Sequence, residues 1–198
     1  MDIADAIKGV EARLGDALSR RRVEHSRRVA EYTALLCTRN GIDPERGRLA
    51  GLAHDICKEA GIVKQRAYAE KYRAVAERPI SRSIIVGDTI VHGPAAAGFL
   101  MEELGFVDED VLEAVAFHTL GAPDLGALAQ LLYAADKLEP GRKNIDNAFR
   151  LDCEALDPTE LFYHVMGSNL AWMRARSMPI AAESLELYDR FSRGGLGR

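Results

Sequence analysis

The stretch Leu49-Ala50-Gly51-Leu52-Ala53-His54-Asp55-Ile56-Cys57-Lys58 is an apolar run broken by one histidine–aspartate pair. Nothing in it alternates as a half-buried strand would. Upstream, Asp43-Pro44 reads as an N-cap followed by proline at the first helical position. The pattern predicts a helix that opens there and stops near Gly61. Successive helical residues point about 100° apart, so His54 and Asp55 can both touch one ion lying beside the helix. An ionised carboxylate left unpaired among apolar neighbours is costly, so Asp55 calls for a partner.

Outward from this run the chain reads as helical nearly throughout. One helix is predicted from about Arg20 to Asn40, stopped by Gly41. A more polar one spans roughly Val63 to Arg78 and halts before Pro79, and Ser81 to Val91 reads as loop or short turns. Gly93-Pro94 starts a further helix that ends at Gly105. Asp108 caps the next, which ends near Gly121, and another covers about Leu125 to Leu138 before Pro140-Gly141. Asp157-Pro158-Thr159-Glu160 resembles a capping box and opens the last one or two helices. β-branched residues cluster only at Ile84-Ile85-Val86, and no repeat or low-complexity tract interrupts the chain. The expected class is all-α.

At 198 residues and 47% hydrophobic, the chain suits one domain with a real core. No apolar run is long enough to cross a bilayer. Met1-Asp2-Ile3-Ala4-Asp5 lacks the basic and apolar regions of a secretory signal, so the cytoplasm is the expected compartment. A net charge of −4 argues against a general nucleic-acid binder. Cys37, Cys57 and Cys153 form no C-x-x-C pair and read as small buried apolar residues.

Two further stripes carry polar residues on their apolar sides. His25 leads Val29, Tyr32 and Leu36 at helical spacing, and Asp136 follows Leu128 and Leu132 at i+4 steps. Taken singly, a helical histidine is more often satisfied in the core or on the surface, and a half-buried aspartate more often pairs with arginine. Jointly, one divalent cation shared by His25, His54, Asp55 and Asp136 solves the burial problem for all four. A mixed nitrogen and oxygen set suits iron, manganese or another divalent first-row ion better than a thiolate-type zinc site. A bound divalent ion lowers the pKa of its water far enough to supply hydroxide near neutral pH.

The order His…His-Asp…Asp resembles the HD superfamily signature. Around it stand Arg22-x-x-His25, His92-Gly93-Pro94, Phe117-His118-Thr119-x-Gly121 and Ala134-Ala135-Asp136-Lys137-Leu138-Glu139-Pro140-Gly141-Arg142. These elements look like the YqeK group of symmetrical bis(5'-nucleosyl)-tetraphosphatases, over roughly residues 15 to 175. The chain departs from that group at Leu120, where a second threonine is usual, and at Lys137, where an aromatic is usual. The resemblance implies a compact helical HD-type bundle occupying residues 1–198, with a C-terminal helical extension. It implies one or two divalent ions, iron first and manganese or magnesium as alternatives, held by His25, His54, Asp55 and Asp136. His92 and His118 match positions that face the phosphates or a second ion. The implied reaction cuts diadenosine tetraphosphate into two ADP.

Asp55, His92, His118 and Lys58 are the expected catalytic residues, with Asp55 or His118 as general base. Arg22, Lys58, His92, His118, Thr119, Arg142 and Lys143 are the expected substrate-binding set, arginine suiting bidentate phosphate contact and lysine point-charge contact. A homodimer is left open. Two other readings stand beside this one: an HD enzyme for another nucleotide, and a nucleotide-binding module whose ion is structural.

Overall fold

The computed structural model describes residues 1–80 and 90–194, and these residues contain helices and no strands. The order is α1 (Ile3–Ala17), α2 (Arg20–Arg39), α3 (Pro44–Ala53), α4 (Ile62–Arg73), α5 (His92–Leu104), α6 (Glu109–Phe117), α7 (Ala127–Leu138), α8 (Asn147–Cys153), α9 (Pro158–Arg174) and α10 (Ala182–Gly194). The all-α expectation holds. The expected loop or turns from Ser81 lie outside the described residues up to position 89, together with the Ile84-Ile85-Val86 cluster.

The helix ends follow from local chemistry. Asp43, Asp108 and Asp157 each accept hydrogen bonds from backbone N–H groups of the first turn behind them. Gly41 and Gly105 stop α2 and α5 at φ +69° and +62°, a region open to glycine without a Cβ penalty. Three readings need correction. α3 ends at Ala53 rather than near Gly61, because Ile56 N, Lys58 N and Ala60 N donate to the carbonyls three residues back, tightening the chain into successive turns. α4 ends at Arg73 rather than Arg78, whose guanidinium is drawn to Glu113 and to the carbonyls of Pro123 and Asp124. The sequence reading also passed over α1 and the seven-residue α8.

Close approach of helices sets the frame for the site. α2 and α3 touch at Gly51, where a Cβ would lie 2.6 Å from Ala30 N. α4 meets α5 at Gly98, where a Cβ would lie 2.6 Å from the Tyr68 carbonyl carbon, and Gly93 lies against Ala116 of α6. α7 packs between α2, α6 and α9, with Leu131, Leu132, Ala134, Ala135 and Leu138 fully buried. α1 closes the far side of α3 with Ala6, Val10 and Leu14. Among the described residues no helix is long and apolar enough to cross a membrane. All three cysteines are free and buried.

Candidate metal centre

α2, the turn after α3, the start of α5, the end of α6 and the last turn of α7 bring six histidine and aspartate side chains together. His25, His54 and Asp136 form one group with ligand atoms within 4.8 Å of one another; His54, Asp55 and His118 form a second on the same terms. The two share His54. All four residues expected to hold the ion are therefore adjacent, and His118 joins them. The imidazoles form a continuous run, with centroids 5.3 Å apart for His25–His54, 5.0 Å for His54–His118 and 5.1 Å for His118–His92.

Backbone and side-chain acceptors fix how three of these rings face. His54 Nδ1 donates to Gly51 O at 2.6 Å, and His118 Nδ1 donates to Val115 O at 2.7 Å. His25 Nδ1 donates to Glu139 Oε1 at 3.1 Å. Each neutral ring then carries its lone pair on Nε2, turned toward the cluster. His54 Nε2 is buried without a hydrogen-bond partner, and its neighbours are Asp55 Oδ2 and Asp136 Oδ1, both at 3.8 Å. A lone pair facing two carboxylate oxygens has no donor among them. A divalent cation satisfies all three at once, and the nitrogen and oxygen donors fit one.

Charge balance follows the same geometry. Burial pushes the His54 pKa down to about 4 and holds His92 well below the ordinary histidine value, with His118 and Lys58 adding to the His92 shift. Burial works against ionised Asp55 and Asp136, yet both are held below the usual carboxylate range. For Asp55 the opposing groups are His54 and His118; for Asp136 they are Lys137, His25, His54 and Arg142. Burial also opposes the charge on His25, but hydrogen bonds to Asp136 and Glu139 raise its pKa. Lys58 and Lys137 are both lowered, mainly by burial.

The remaining expected residues ring this cluster. Lys58 stacks over Asp55 across the tightened turn, Nζ to Oδ1 3.9 Å, and reaches His92 Nε2 at 2.7 Å. Its partner along the chain is thus Asp55 at i+3 rather than His54 at i+4. Thr119 Oγ1 lies 3.2 Å from His92 Nε2 and 3.1 Å from His118 Nε2. Arg22 donates to Asp55 at 2.9 Å and to Glu59 at 2.9 Å. Arg142 donates to Asp136 Oδ1 at 2.7 Å and to Asp136 O at 2.8 Å. Lys143 is exposed on the lip of the cleft.

Two residues escaped the sequence reading. Glu139, 1% exposed, accepts from His25, from Arg28 Nε at 2.7 Å and from Gly141 N at 2.5 Å, and its pKa falls to about 2 although burial opposes this. It orients His25 from behind, as carboxylates do for metal-bound histidines. Lys137 bridges His118 O at 2.7 Å and Asp136 Oδ2 at 3.1 Å, with Nζ 3.8 Å from the Tyr133 ring centroid. A carboxylate three residues after Asp136 in the sequence was the available signal for the first. The second stood out in the sequence only as a departure from the related group beside Asp136, with no role attached. The cluster opens into a cleft of about 1440 Å³, larger than the roughly 300–1,000 Å³ usual for small ligands.

Histidine nitrogens and carboxylate oxygens gathered under basic side chains suit a divalent-metal phosphohydrolase. The HD domain model matches residues 22–141, more than half of the chain, and the chain belongs to that family. It is 33% identical over 87% of its length to a symmetrical bis(5'-nucleosyl)-tetraphosphatase of Halalkalibacterium halodurans, covering 90% of that protein. It is 23% identical to one of Bacillus subtilis with the same coverage of both chains. Among solved structures it resembles a protein of Clostridium acetobutylicum described as a predicted HD superfamily hydrolase involved in NAD metabolism. The TM-score there is 0.75 at 24% identity, covering 92% of this chain and 94% of the other, a likeness of fold.

Proposed function

We propose that this chain hydrolyses diadenosine tetraphosphate symmetrically to two ADP, with residues 1–198 acting as one HD-type unit. The observation that carries the reading is His54 Nε2, buried without a donor between Asp55 and Asp136 at the base of a cation-lined cleft. His25, His54, Asp55 and Asp136 would hold the ion, iron on this reading, with His118 beside it. When bound, a divalent ion supplies an activated water and neutralises charge on the phosphates.

The chain's own groups supply the rest. Lys58 and Arg142 flank the cluster on opposite sides and hold phosphate oxygens; Arg22 and Lys143 extend that charge along the cleft. His92, kept neutral by burial and in contact with Lys58 and Thr119, accepts a hydrogen bond and leaves the Lys58 ammonium free to turn to substrate. Asp55 and His118 are the groups placed to take the proton of the attacking water. Attack falls on a phosphorus flanking the central bridging oxygen, so each half departs as a diphosphate. Relatives aligned with this chain along most of their length carry the name of that activity. Three free, buried cysteines suit a reducing compartment such as the cytoplasm.

Chromatography of the products from metal-loaded protein and a nucleotide panel tests the reading. Two ADP from diadenosine tetraphosphate are expected, and Asp55→Ala should abolish turnover and lower metal content. AMP plus ATP as the main products would overturn the symmetrical assignment.

A further inference from the structure

The two ends of the cleft differ in chemistry. One end is built from Ser19, Arg21, Arg22, Lys58 and Glu59, and Glu59 is engaged there by Ser19 N at 2.6 Å, Ser19 Oγ at 2.8 Å and Arg22 Nε at 2.9 Å. The other is lined by Val165, Ser168, Asn169, Trp172 and Met173 of α9, and by Phe149 of α8, whose ring stacks on His164 of α9 at 5.3 Å. Those α9 positions step by three, one, three and one, so they form one helical face about 12 Å long. The face begins beside the cluster: Asn169 is hydrogen-bonded to Tyr133, one helical turn before Asp136 on α7. Among the described residues, the tyrosine, phenylalanine and tryptophan of the cleft lining all belong to this end. Trp172 Nε1 is buried with no hydrogen-bond partner, and Arg176 covers the indole at 4.4 Å.

We propose that the α8–α9 end of the cleft is a base-binding site for one nucleoside of the substrate, and that the charged end contacts the other half through its phosphates alone. Aromatic rings take the flat face of a base, and the Asn169 amide, once turned from Met173 Sδ to which its Nδ2 donates at 3.7 Å, offers the donor and acceptor pair that suits adenine. The enzyme then reads one half of a dinucleoside tetraphosphate and accepts variation in the other. The held half keeps its adenosine at Trp172 and its β-phosphorus at the cluster. The water oxygen bonds to that phosphorus, and the bridging oxygen leaves with the unread half as a terminal oxygen of its diphosphate. One water proton passes by way of Asp55 or His118 to the leaving oxygen, and the other goes to solvent.

This inference rests on symmetrical cleavage, and two experiments separate the two claims. Trp172 is the sole tryptophan of the chain, so its emission reports on the site without turnover. Titration of the metal-loaded protein with ADP should quench it saturably, and inorganic diphosphate should not. By calorimetric titration, which needs no tryptophan, Asn169→Ala and Trp172→Phe should each weaken ADP binding, and the loss of stacking area in Trp172→Ala should do so by roughly five- to a hundredfold. The second experiment hydrolyses adenosine(5')tetraphospho(5')uridine in ¹⁸O-labelled water. Label confined mainly to ADP supports the inference; label divided equally, or found mainly in UDP, overturns it. Symmetrical cleavage without any ADP-dependent change in emission also overturns it and leaves the activity standing. Quenching by ADP without symmetrical cleavage instead overturns the proposed activity while the base site remains.

Discussion

Replacing Glu139 by glutamine tests the site at a residue that need not touch ion or substrate. Oε1 accepts from His25 Nδ1 at 3.1 Å, while Oε2 accepts from Arg28 Nε at 2.7 Å and Gly141 N at 2.5 Å. An amide offers only one acceptor oxygen. With that oxygen toward His25, the NH₂ group faces two donors. With it toward Arg28 and Gly141, the NH₂ group faces His25 Nδ1, and His25 gains by shifting its proton to Nε2, away from ligand service. Arg28 is 40% exposed and can turn to water, so the net cost falls mainly on one buried charge-assisted bond, about 2 kcal/mol. In a chain of this size that lowers Tm by roughly 4–8 °C. Loss of the orienting carboxylate should weaken metal affinity roughly 10- to 100-fold. Calorimetry and a chelator-competition titration of the variant measure both. Wild-type Tm together with metal affinity within about twofold of wild type would refute the role given to Glu139.

Other outcomes follow from the same geometry. Gly51→Ala places a Cβ against the backbone of Ala30, so α2 and α3 must part; a loss of about 3 kcal/mol is expected in urea titration, and an unchanged midpoint would contradict the packing. Arg142→Ala should cut catalytic efficiency roughly tenfold to a hundredfold while the ion stays bound; full efficiency would leave Arg142 as a tether of Asp136 only. Burial pushes Cys37 and Cys57 up to about 12 and Cys153 up to about 11, so the native protein should resist a thiol reagent at pH 8 and react at all three sites once unfolded; one fast native thiol would contradict this. In metal-free protein, His54 is neutral down to about pH 4, whereas the unfolded chain protonates near 6.5. Through His54, stability should therefore fall as pH drops from about 6.5 to 4, while the raised pKa of His25 acts in the opposite direction. A thermal midpoint that rose over this range would reverse the sign.

Much of this was legible before any coordinates. Aspartates in cap positions and glycines past helix ends announce themselves locally, and Asp43, Asp108, Asp157, Gly41 and Gly105 do so. The four residues proposed to hold the ion show through because a charged or ionisable side chain inside an apolar helical stripe contradicts its surroundings. What was hidden is non-local. The apolar run through His54 continues in helical period, so nothing in it betrays the tightened turns after Ala53. Read as a helix stop, Glu139-Pro140-Gly141-Arg142 gives Arg142 a role but not Glu139, whose partner His25 lies 114 residues earlier. Seven residues, as in α8, are too few for a periodic signal.

The three anchors that orient the histidines are not equally open to inheritance. His54 and His118 are held by carbonyls of Gly51 and Val115, and a carbonyl is present whatever side chain a codon specifies. His25 is held by the carboxylate of Glu139, which a single nucleotide change can erase or neutralise. Genetic drift can thus retune this centre from one corner only. A lineage that exchanged its preferred ion would be expected to begin at residue 139, with the other two corners altered only by moving the backbone itself.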